Sequence, residues 1–455
     1  MTLDFKHASI VEGVRFTAQI GVPGVVQGLF RKRALPTQVA TKLHAEQLGY
    51  LLVESMVHRL GPDPFYIRVV REEALLVHHP DDIRIVLGGS PDPFASDPEA
   101  KRNGMAAFQP EALSISRGDV WRSRRTFAEA VLDTAQSLHR LAPMFLAVAA
   151  AESQRLGELN AIRWDDLNSA FQRVTRRVVF GDSAADDVAI TAELAALMSA
   201  GNRMPGRPSD GYPRFIGHVR AYVDAAEPGS LCSQIPAAPV VDGDGAAGQI
   251  VHWLFAMGDT LPANLMRALA LLASHPDELA RVRAEIDGAD LADPKSVAGL
   301  DYLGGCVQEA MRLWPTTQLF GRVTTSDVRF PTGAILPAGT QVLIYNLFNH
   351  RNRDRIEYAD RVAPGEWVDG DAAGHWAFNF FSHGPQGCPG AGLSMFLGQA
   401  VLAGLVGPST PALHGVTLTP GRLPHGLDLY GMSLVLEPRP GRETAGNNHG
   451  ARRVP

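Results

Sequence analysis

The stretch "NFFSHGPQGCPGAGLSMFLGQAVLAGLV", residues 379–406, sets Cys388 in a stiff loop: four glycines and two prolines lie between Gly384 and Gly392. Phe381, Gly384, Cys388 and Gly390 form the pattern F-x-x-G-x-x-x-C-x-G. Gly384 and Gly390 are expected where a side chain would block the backbone geometry or a close approach. The apolar run after Gly392 predicts a helix starting directly behind the cysteine. A thiolate near a helix N-terminus is stabilised by the dipole and by free N–H groups. Held on a rigid loop it makes a soft metal ligand, of the kind haem iron accepts. On this stretch alone three other readings stay open. One is a buried inert cysteine. Another is a nucleophile, for which no histidine partner is identifiable. The third is a phosphate loop, although the Gly-Lys-Ser/Thr ending is missing.

The rest of the chain narrows the choice. Its 455 residues suffice for one large domain or two to three ordinary ones. Hydrophobic residues make up 45% and charged residues 20%, as in a folded globular protein. The formal net charge of −6 gives no electrostatic footprint for nucleic acid. Three cysteines, Cys232, Cys306 and Cys388, make neither a disulfide framework nor a CxxC zinc pair, which points to a reducing, cytoplasmic setting. The first thirty residues fit neither a signal peptide nor a membrane span. Residues 10–31 could form an amphipathic segment resting on a surface.

Apolar residues at three- and four-residue spacing predict helices in 52–61, 134–157, 247–275 and 276–288. Strand-like runs are fewer: "FYIRVV", "EALLVHH", "QVLIYNL" and "MSLVLEP". Proline- and glycine-rich stretches at 203–214 and 227–248 read as loops, either linkers or lids. The expected fold class is mainly α with small β-sheets. The expected organisation is an N-terminal segment 1–39, a single domain 40–437 and a disordered tail 438–455.

Four further motifs, in order before the cysteine loop, make the sequence resemble a cytochrome P-450, a haem-thiolate monooxygenase of the soluble bacterial type. "GDVWRSRRTFAEAVL" (118–132) is similar to the family's W-x-x-x-R helix, whose Trp121 and Arg125 equivalents bind a haem propionate. "WLFAMGDTLPANL" (253–265) resembles the distal helix with A-G-x-D/E-T, so Ala256, Asp259 and Thr260 take the family positions. In that family the acid and the alcohol deliver protons to iron-bound dioxygen. Pro262, just beyond, is expected to kink the helix and help open a groove. "CVQEAMRLWP" (306–315) supplies Glu309 and Arg312 as E-x-x-R, a structural pair. Arg322 in "LFGRVTTSDV" (319–328) stands where the family often has another propionate-binding arginine. The resemblance covers roughly residues 40–437. It implies the P-450 fold, haem b (iron protoporphyrin IX) ligated by Cys388, and cofactor contacts from Phe381, Gln386 and Gly390.

Three positions depart from the family pattern. Gln386 stands where arginine or histidine usually contacts a propionate, and His383 is a candidate to compensate. Glu366 falls at the arginine position of the meander segment "RVAPGEWVDG" (361–370), so Arg361 or Arg353 is expected to complete the Glu309–Arg312 lock. Met257 replaces the usual glycine and is expected to point into packing.

Helical spacing puts residues 252, 255, 256, 259 and 260 on one face. The pocket wall is therefore expected to include His252, Phe255 and Ala256, with His252 either binding a substrate carboxylate or hydroxyl or satisfied by a backbone carbonyl. The resemblance adds Thr316, Thr317, Gln318, Leu319 and the turn 424–432. The resemblance also implies hydroxylation of a medium-sized, largely hydrophobic small molecule by O2. Electrons would come from a ferredoxin or flavodoxin with its reductase, docking near Arg122 and Arg124. The Ala-, Arg- and Gly-rich composition associates the chain with secondary metabolism. Oxidative coupling, cyclisation, desaturation or rearrangement is the alternative reaction class, and a non-catalytic haem- or ligand-binding protein the second alternative.

Overall fold

The computed structural model describes residues 4–440 except Leu29, Arg71 and Met204. Most of the expected disordered tail, from 441 onward, lies outside the described residues. The protein is mainly helical, with three small sheets. The largest sheet runs, edge to edge, Lys6–His7, Phe65–Val69, Glu72–Val77, Gln341–Tyr345, Leu319–Thr324, Phe94–Ala95. Its middle pair, Glu72–Val77 and Gln341–Tyr345, is parallel, with Leu75 opposite Val342. Ser409–His414, Ser433–Pro438 and Ile162–Arg163 form an antiparallel three-stranded sheet, and Val328–Arg329 pairs with Ile335–Leu336.

All four sequence-predicted strands form, but "QVLIYNL" ends early: from Asn346 the chain turns into the short helix Asn346–His350. Of the seven other strands among the described residues, five are only two residues long and two are longer. Leu319–Thr324 contains Gly321 and Ser409–His414 contains Pro411, residues that dilute a strand pattern and are overridden here by cross-strand pairing.

The predicted helix 134–157 starts later, at Ala142. The preceding backbone is held in turns by side chains. Asp133 accepts from the Arg140 N–H at 2.8 Å and the His139 ring accepts from the Leu141 N–H at 3.0 Å. Such local bonds compete with helix formation. The stretches read as loops are partly regular: a 3-10 segment spans Leu231–Ala237, and helix Tyr212–Ala225 begins inside 203–214.

The main core gathers the helices Ala142–Gly157, Trp164–Phe180, Leu261–Ser274, Asp301–Leu313 and Ala391–Val406. In the N-terminal segment 1–39, Lys6–His7 pairs with the main sheet, and Phe16 and Ile20 are buried against Tyr50 and Val53. On its outer side Ile10, Val11, Val14, Val25, Leu35 and Val39 are exposed. No helix among the described residues is long and apolar enough to cross a membrane.

Candidate active site

The cysteine loop is pinned from two sides. The Cys388 N–H donates to the Phe381 carbonyl at 2.7 Å, closing the loop across its own glycines. From helix Gly118–Val131, Arg125 donates to the Gly387 carbonyl and its Nε to Glu129 at 2.6 Å. Thr134 Oγ1 donates to the Pro389 carbonyl at 2.7 Å. Trp121, one turn before Arg125, is half-buried.

Gly384 sits at φ +68°, and a Cβ there would come within 2.5 Å of the Leu87 carbonyl. Gly384→Ala is therefore expected to destabilise the protein by ~1–3 kcal/mol, read as a lowered urea midpoint. An unchanged midpoint would mean that the loop relaxes freely. Gly390 differs from the expectation: its φ of −98° suits any residue, and a Cβ there would meet nothing nearer than Leu132 at 3.8 Å.

Helix Ala391–Val406 does start directly behind the loop. Even so, burial is the largest influence on the Cys388 thiol and pushes its pKa up. The Gly390 N–H and the Arg125 charge pull it back down without winning. Cys388 is nonetheless exposed. Cys232 and Cys306 are fully packed by apolar neighbours. His383, the candidate to compensate for Gln386, bonds the Phe378 carbonyl through Nε2 at 3.1 Å and lies against the Trp376 ring. The Gln386 side-chain oxygen is buried without a hydrogen-bond partner.

Above the core, helix Gly245–Phe255 passes into a π-turn, Ala256–Thr260, and then into helix Leu261–Ser274. Pro262 explains the break. It has no N–H to give to the carbonyl four residues back, that of Gly258. That carbonyl instead accepts from Asn168 at 2.8 Å and Gln172 at 3.0 Å, both on helix Trp164–Phe180. The same two amides reach Asp259 Oδ1 at 3.2 and 3.3 Å. Gly258 permits this approach, since a Cβ there would lie 2.6 Å from Gln172. The family glycine is thus displaced by one position, and Met257 is packed in the core at 4% exposure. The bond lost to Pro262 is taken up by these amides at the helix flank. Neither amide was singled out in the sequence. A proline four residues after Gly258 was the available signal that a carbonyl would need a partner.

His252, Phe255, Ala256, Asp259 and Thr260 are half-buried, whereas Val251, Trp253, Leu254, Met257 and Gly258 between them are buried. Burial raises the Asp259 pKa, opposed by the Asn168 bond, the Arg31 charge and the Gln172 bond. His252 Nδ1 lies 3.3 Å from Gln109 Oε1, so a side-chain amide takes the place of the expected backbone carbonyl. Burial, with the Lys101 charge, lowers its pKa to about 4. A neutral imidazole donating through Nδ1 offers Nε2 as an acceptor for a hydroxyl and no charge for a carboxylate.

Arg322 is 3% exposed, donates to Ser90 Oγ at 2.9 Å and to the Gly321 carbonyl at 2.9 Å, and has no carboxylate partner among the described residues. Lys101, missed in the sequence, donates to the carbonyls of Ser96 and Ser114 at 3.1 and 2.8 Å. Burial and the nearby Arg322 charge lower its pKa to about 7.

Glu309 and Arg312 are completely buried and joined by two bonds of 2.6 and 2.7 Å. The third member is not an arginine side chain. Trp367 Nε1 and the Ala363 N–H donate to Glu309, each at 2.8 Å. Arg353 pairs with Asp360, and Arg361 contributes its carbonyl to Arg312 at 2.7 Å.

Of the other expected residues, Thr316 is half-buried and Thr317 exposed, and the Thr317 carbonyl accepts from Asn346 at 2.8 Å. Leu319 packs on the cluster around Phe16 and Tyr345. Arg122 is exposed, but Arg124 is not free for docking: its side chain is 11% exposed and bound to Ser116 and Glu111. Two residues apart on a helix, the two arginines cannot share a face.

A sequence profile of the family described as cytochrome P450 matches residues 244–406, which hold the central helix, the Glu309–Arg312 pair and the cysteine loop. Cyclooctat-9-en-7-ol 5-monooxygenase of Streptomyces melanosporofaciens is 26% identical over 345 residues, 68% of this chain and 72% of that one. Cytochrome P450 81F4 of Arabidopsis thaliana is 24% identical over 416 residues, covering 78% and 82%. Cytochrome P450 4c3 of Drosophila melanogaster is 28% identical over 225 residues, 47% of this chain and only 40% of the fly protein's length. These similarities, with the mainly helical architecture, support a cytochrome P450 superfamily domain and fold.

Proposed function

We propose that the protein is a haem-thiolate monooxygenase with one haem domain over roughly residues 40–437. It would hydroxylate a medium-sized, largely apolar molecule using O2. Electrons would come from a separate ferredoxin or flavodoxin and its reductase in the cytoplasm. The observation that carries this reading is the exposed Cys388 on a loop held on both sides by Arg125 and Thr134. The donor set fits haem b. One soft ligand suits the iron. Two cations without carboxylate partners among the described residues, the buried Arg322 and the half-buried Lys101, suit propionates, together with Arg125. Trp121, Ala256, Phe381, Gln386 and Gly390 would complete the contacts.

Bound haem supplies the reductive activation of O2. The chain's own share is to hold Cys388 as the ligand and to move protons. Asp259 Oδ1 is held by Asn168 and Gln172, which leaves Oδ2 to carry a proton toward the Thr260 hydroxyl. Burial raises the Asp259 pKa and so brings its proton exchange closer to neutrality. His252, Phe255, Thr316, Thr317 and Leu319 would border the substrate. From the Streptomyces relative, by name a monooxygenase of cyclooctat-9-en-7-ol, we carry over the reaction class, and from the Ala-, Arg- and Gly-rich composition a role in secondary metabolism. An electron donor would dock on the cysteine-loop side, with Arg122 as its basic contact.

The test is the absorption spectrum of the reduced protein under carbon monoxide. A strongly red-shifted Soret band supports thiolate ligation, and a histidine-like band or no haem overturns the reading. Asp259→Asn is then expected to keep that band while slowing product formation on the order of 100-fold. Unchanged turnover would remove Asp259 from the proton path.

A further inference from the structure

The segment 109–114 is tied to the central helix by two residues one turn apart. Gln249, buried, accepts from the Leu113 N–H at 3.2 Å and donates to the Glu111 carbonyl at 2.8 Å. Three positions on, and so on the same helix face, His252 meets Gln109. The segment is fixed elsewhere as well. The Gln109 N–H donates to the Met105 carbonyl at 2.8 Å, and the Ser114 carbonyl accepts from Ser96 Oγ and Lys101 Nζ, both at 2.8 Å. Gln109 is 1% exposed, so its amide has little room to swing away from the imidazole.

This frame decides what the ring can offer. Burial and the Lys101 charge keep it neutral, with a pKa lowered to about 4. The Gln109 oxygen only accepts, so the single ring proton stands on Nδ1, 3.3 Å away. Nε2 keeps its lone pair and has no hydrogen-bond partner among the described residues. His252 retains accessible surface, as do Phe255, Ala256, Asp259 and Thr260 on the same stripe of the helix. Its surroundings are apolar: the Phe255 ring stands nearly perpendicular to the imidazole at 6.0 Å, and Phe108 meets Phe255 at 6.4 Å. Two helical turns, roughly 10–12 Å along the axis, separate His252 from Asp259 and Thr260. A group held at Nε2 therefore lies well away from the carbon that reacts.

We propose that His252 selects its substrate by a hydroxyl group, which donates to Nε2, and that Gln109 is the positioning residue that keeps the ring proton on Nδ1. The substrate class is an alcohol on a largely apolar skeleton, oxidised at a carbon remote from the hydroxyl. A ketone or an ether brings no proton and leaves the lone pair unpaired among aromatic rings, and a carboxylate finds no charge on the imidazole. This assignment rests on the monooxygenase reading and names its substrate class.

The test is calorimetric titration of the full-length haem-loaded protein with cyclododecanol, cyclododecanone and cyclododecyl methyl ether, and with farnesol and its methyl ether. The alcohols are expected to bind ~10–100-fold more tightly than the ketone and ethers. That preference should hold from about pH 6 to pH 8, because the ring gains its second proton only near pH 4. His252→Phe is expected to bring the alcohols down to the level of the ethers. Gln109→Met leaves the imidazole in place but frees its proton. It should lose most of the preference and move the nitrogen-15 signal of His252 Nε2, recorded on the reduced carbon monoxide form, from that of a bare nitrogen towards that of an N–H. Equal affinity for alcohol and ketone, binding of none of the alcohols, an undiminished preference in His252→Phe, or a protonated Nε2 in the parent would each overturn the assignment. An unmoved nitrogen signal in Gln109→Met would remove Gln109 from it. If His252→Phe fails to fold, the comparison of alcohol with ketone and the nitrogen signal of the parent still decide. The carbon monoxide spectrum of the same preparation separates the two failures. Without the thiolate band the monooxygenase reading falls, whereas a normal band without alcohol preference sinks the His252 assignment alone.

Discussion

Cys388→Ser is expected to abolish the thiolate-shifted band of the reduced, carbon monoxide-treated protein and to take product formation below detection. A serine hydroxyl is a hard, neutral donor and cannot replace a soft thiolate. Neither remaining cysteine can substitute. Cys232 is 0% exposed and Cys306 1%, both in the apolar core, and burial raises the Cys232 pKa to about 12. The fold should survive. The loop is held by Cys388 N–H to Phe381, Arg125 to Gly387 and Thr134 to Pro389, none of which uses the sulfur. The Gly390 N–H that faces the sulfur can donate to a serine oxygen instead. Thermal unfolding is therefore expected to stay close to the parent while the spectrum changes completely. A persisting thiolate band in Cys388→Ser would show that another residue holds the iron and would overturn the proposed function.

What the sequence made legible, and what it did not, follows the range of the interactions. The cysteine loop could be read because its constraint is local: glycines and prolines act through their own backbone torsions, as Gly384 does at φ +68°. The half-buried face of the central helix followed from spacing alone. Pro262 announced a break in that helix but not its remedy, because Asn168 and Gln172 stand about ninety residues earlier in the chain. Lys101 was invisible for the same reason. Its meaning arises from burial beside Arg322, which no local pattern encodes. Gly390 is the counter-case, since its torsions suit any residue and no other protein atom crowds the place of a Cβ, so the chain's own packing does not require a glycine there. Trp367 was in plain view beside Glu366, and attention to charge alone passed over an indole N–H that could donate to Glu309.

That last contact bears on the largest expected loss of stability. Arg312→Met should destabilise the fold by ~3–5 kcal/mol, because it strands a buried carboxylate. Glu309 and Arg312 both have no exposed side-chain surface. Besides its two bonds to Glu309, the guanidinium donates to the carbonyls of His350, Ala359, Tyr358 and Arg361 at 2.7–3.3 Å. It also lies 5.1 Å from the centre of the Tyr358 ring. A single side chain therefore fastens helix Asp301–Leu313 to the segment 350–361, which leads on to the cysteine loop. Methionine fills much of the volume but donates nothing, so four carbonyls and one carboxylate lose a donor together. Trp367→Phe removes one donor to the same carboxylate and leaves Arg312 and the Ala363 N–H in place, so its expected cost is smaller, ~1.5–3 kcal/mol. Urea unfolding of the two variants beside the parent measures the difference. If Arg312 serves as the hub, the methionine variant is the less stable of the two and also loads haem poorly, because its loss loosens the chain that leads to Cys388. If Trp367→Phe costs as much as Arg312→Met, the indole rather than the guanidinium closes the lock, and the four carbonyl bonds add little to stability.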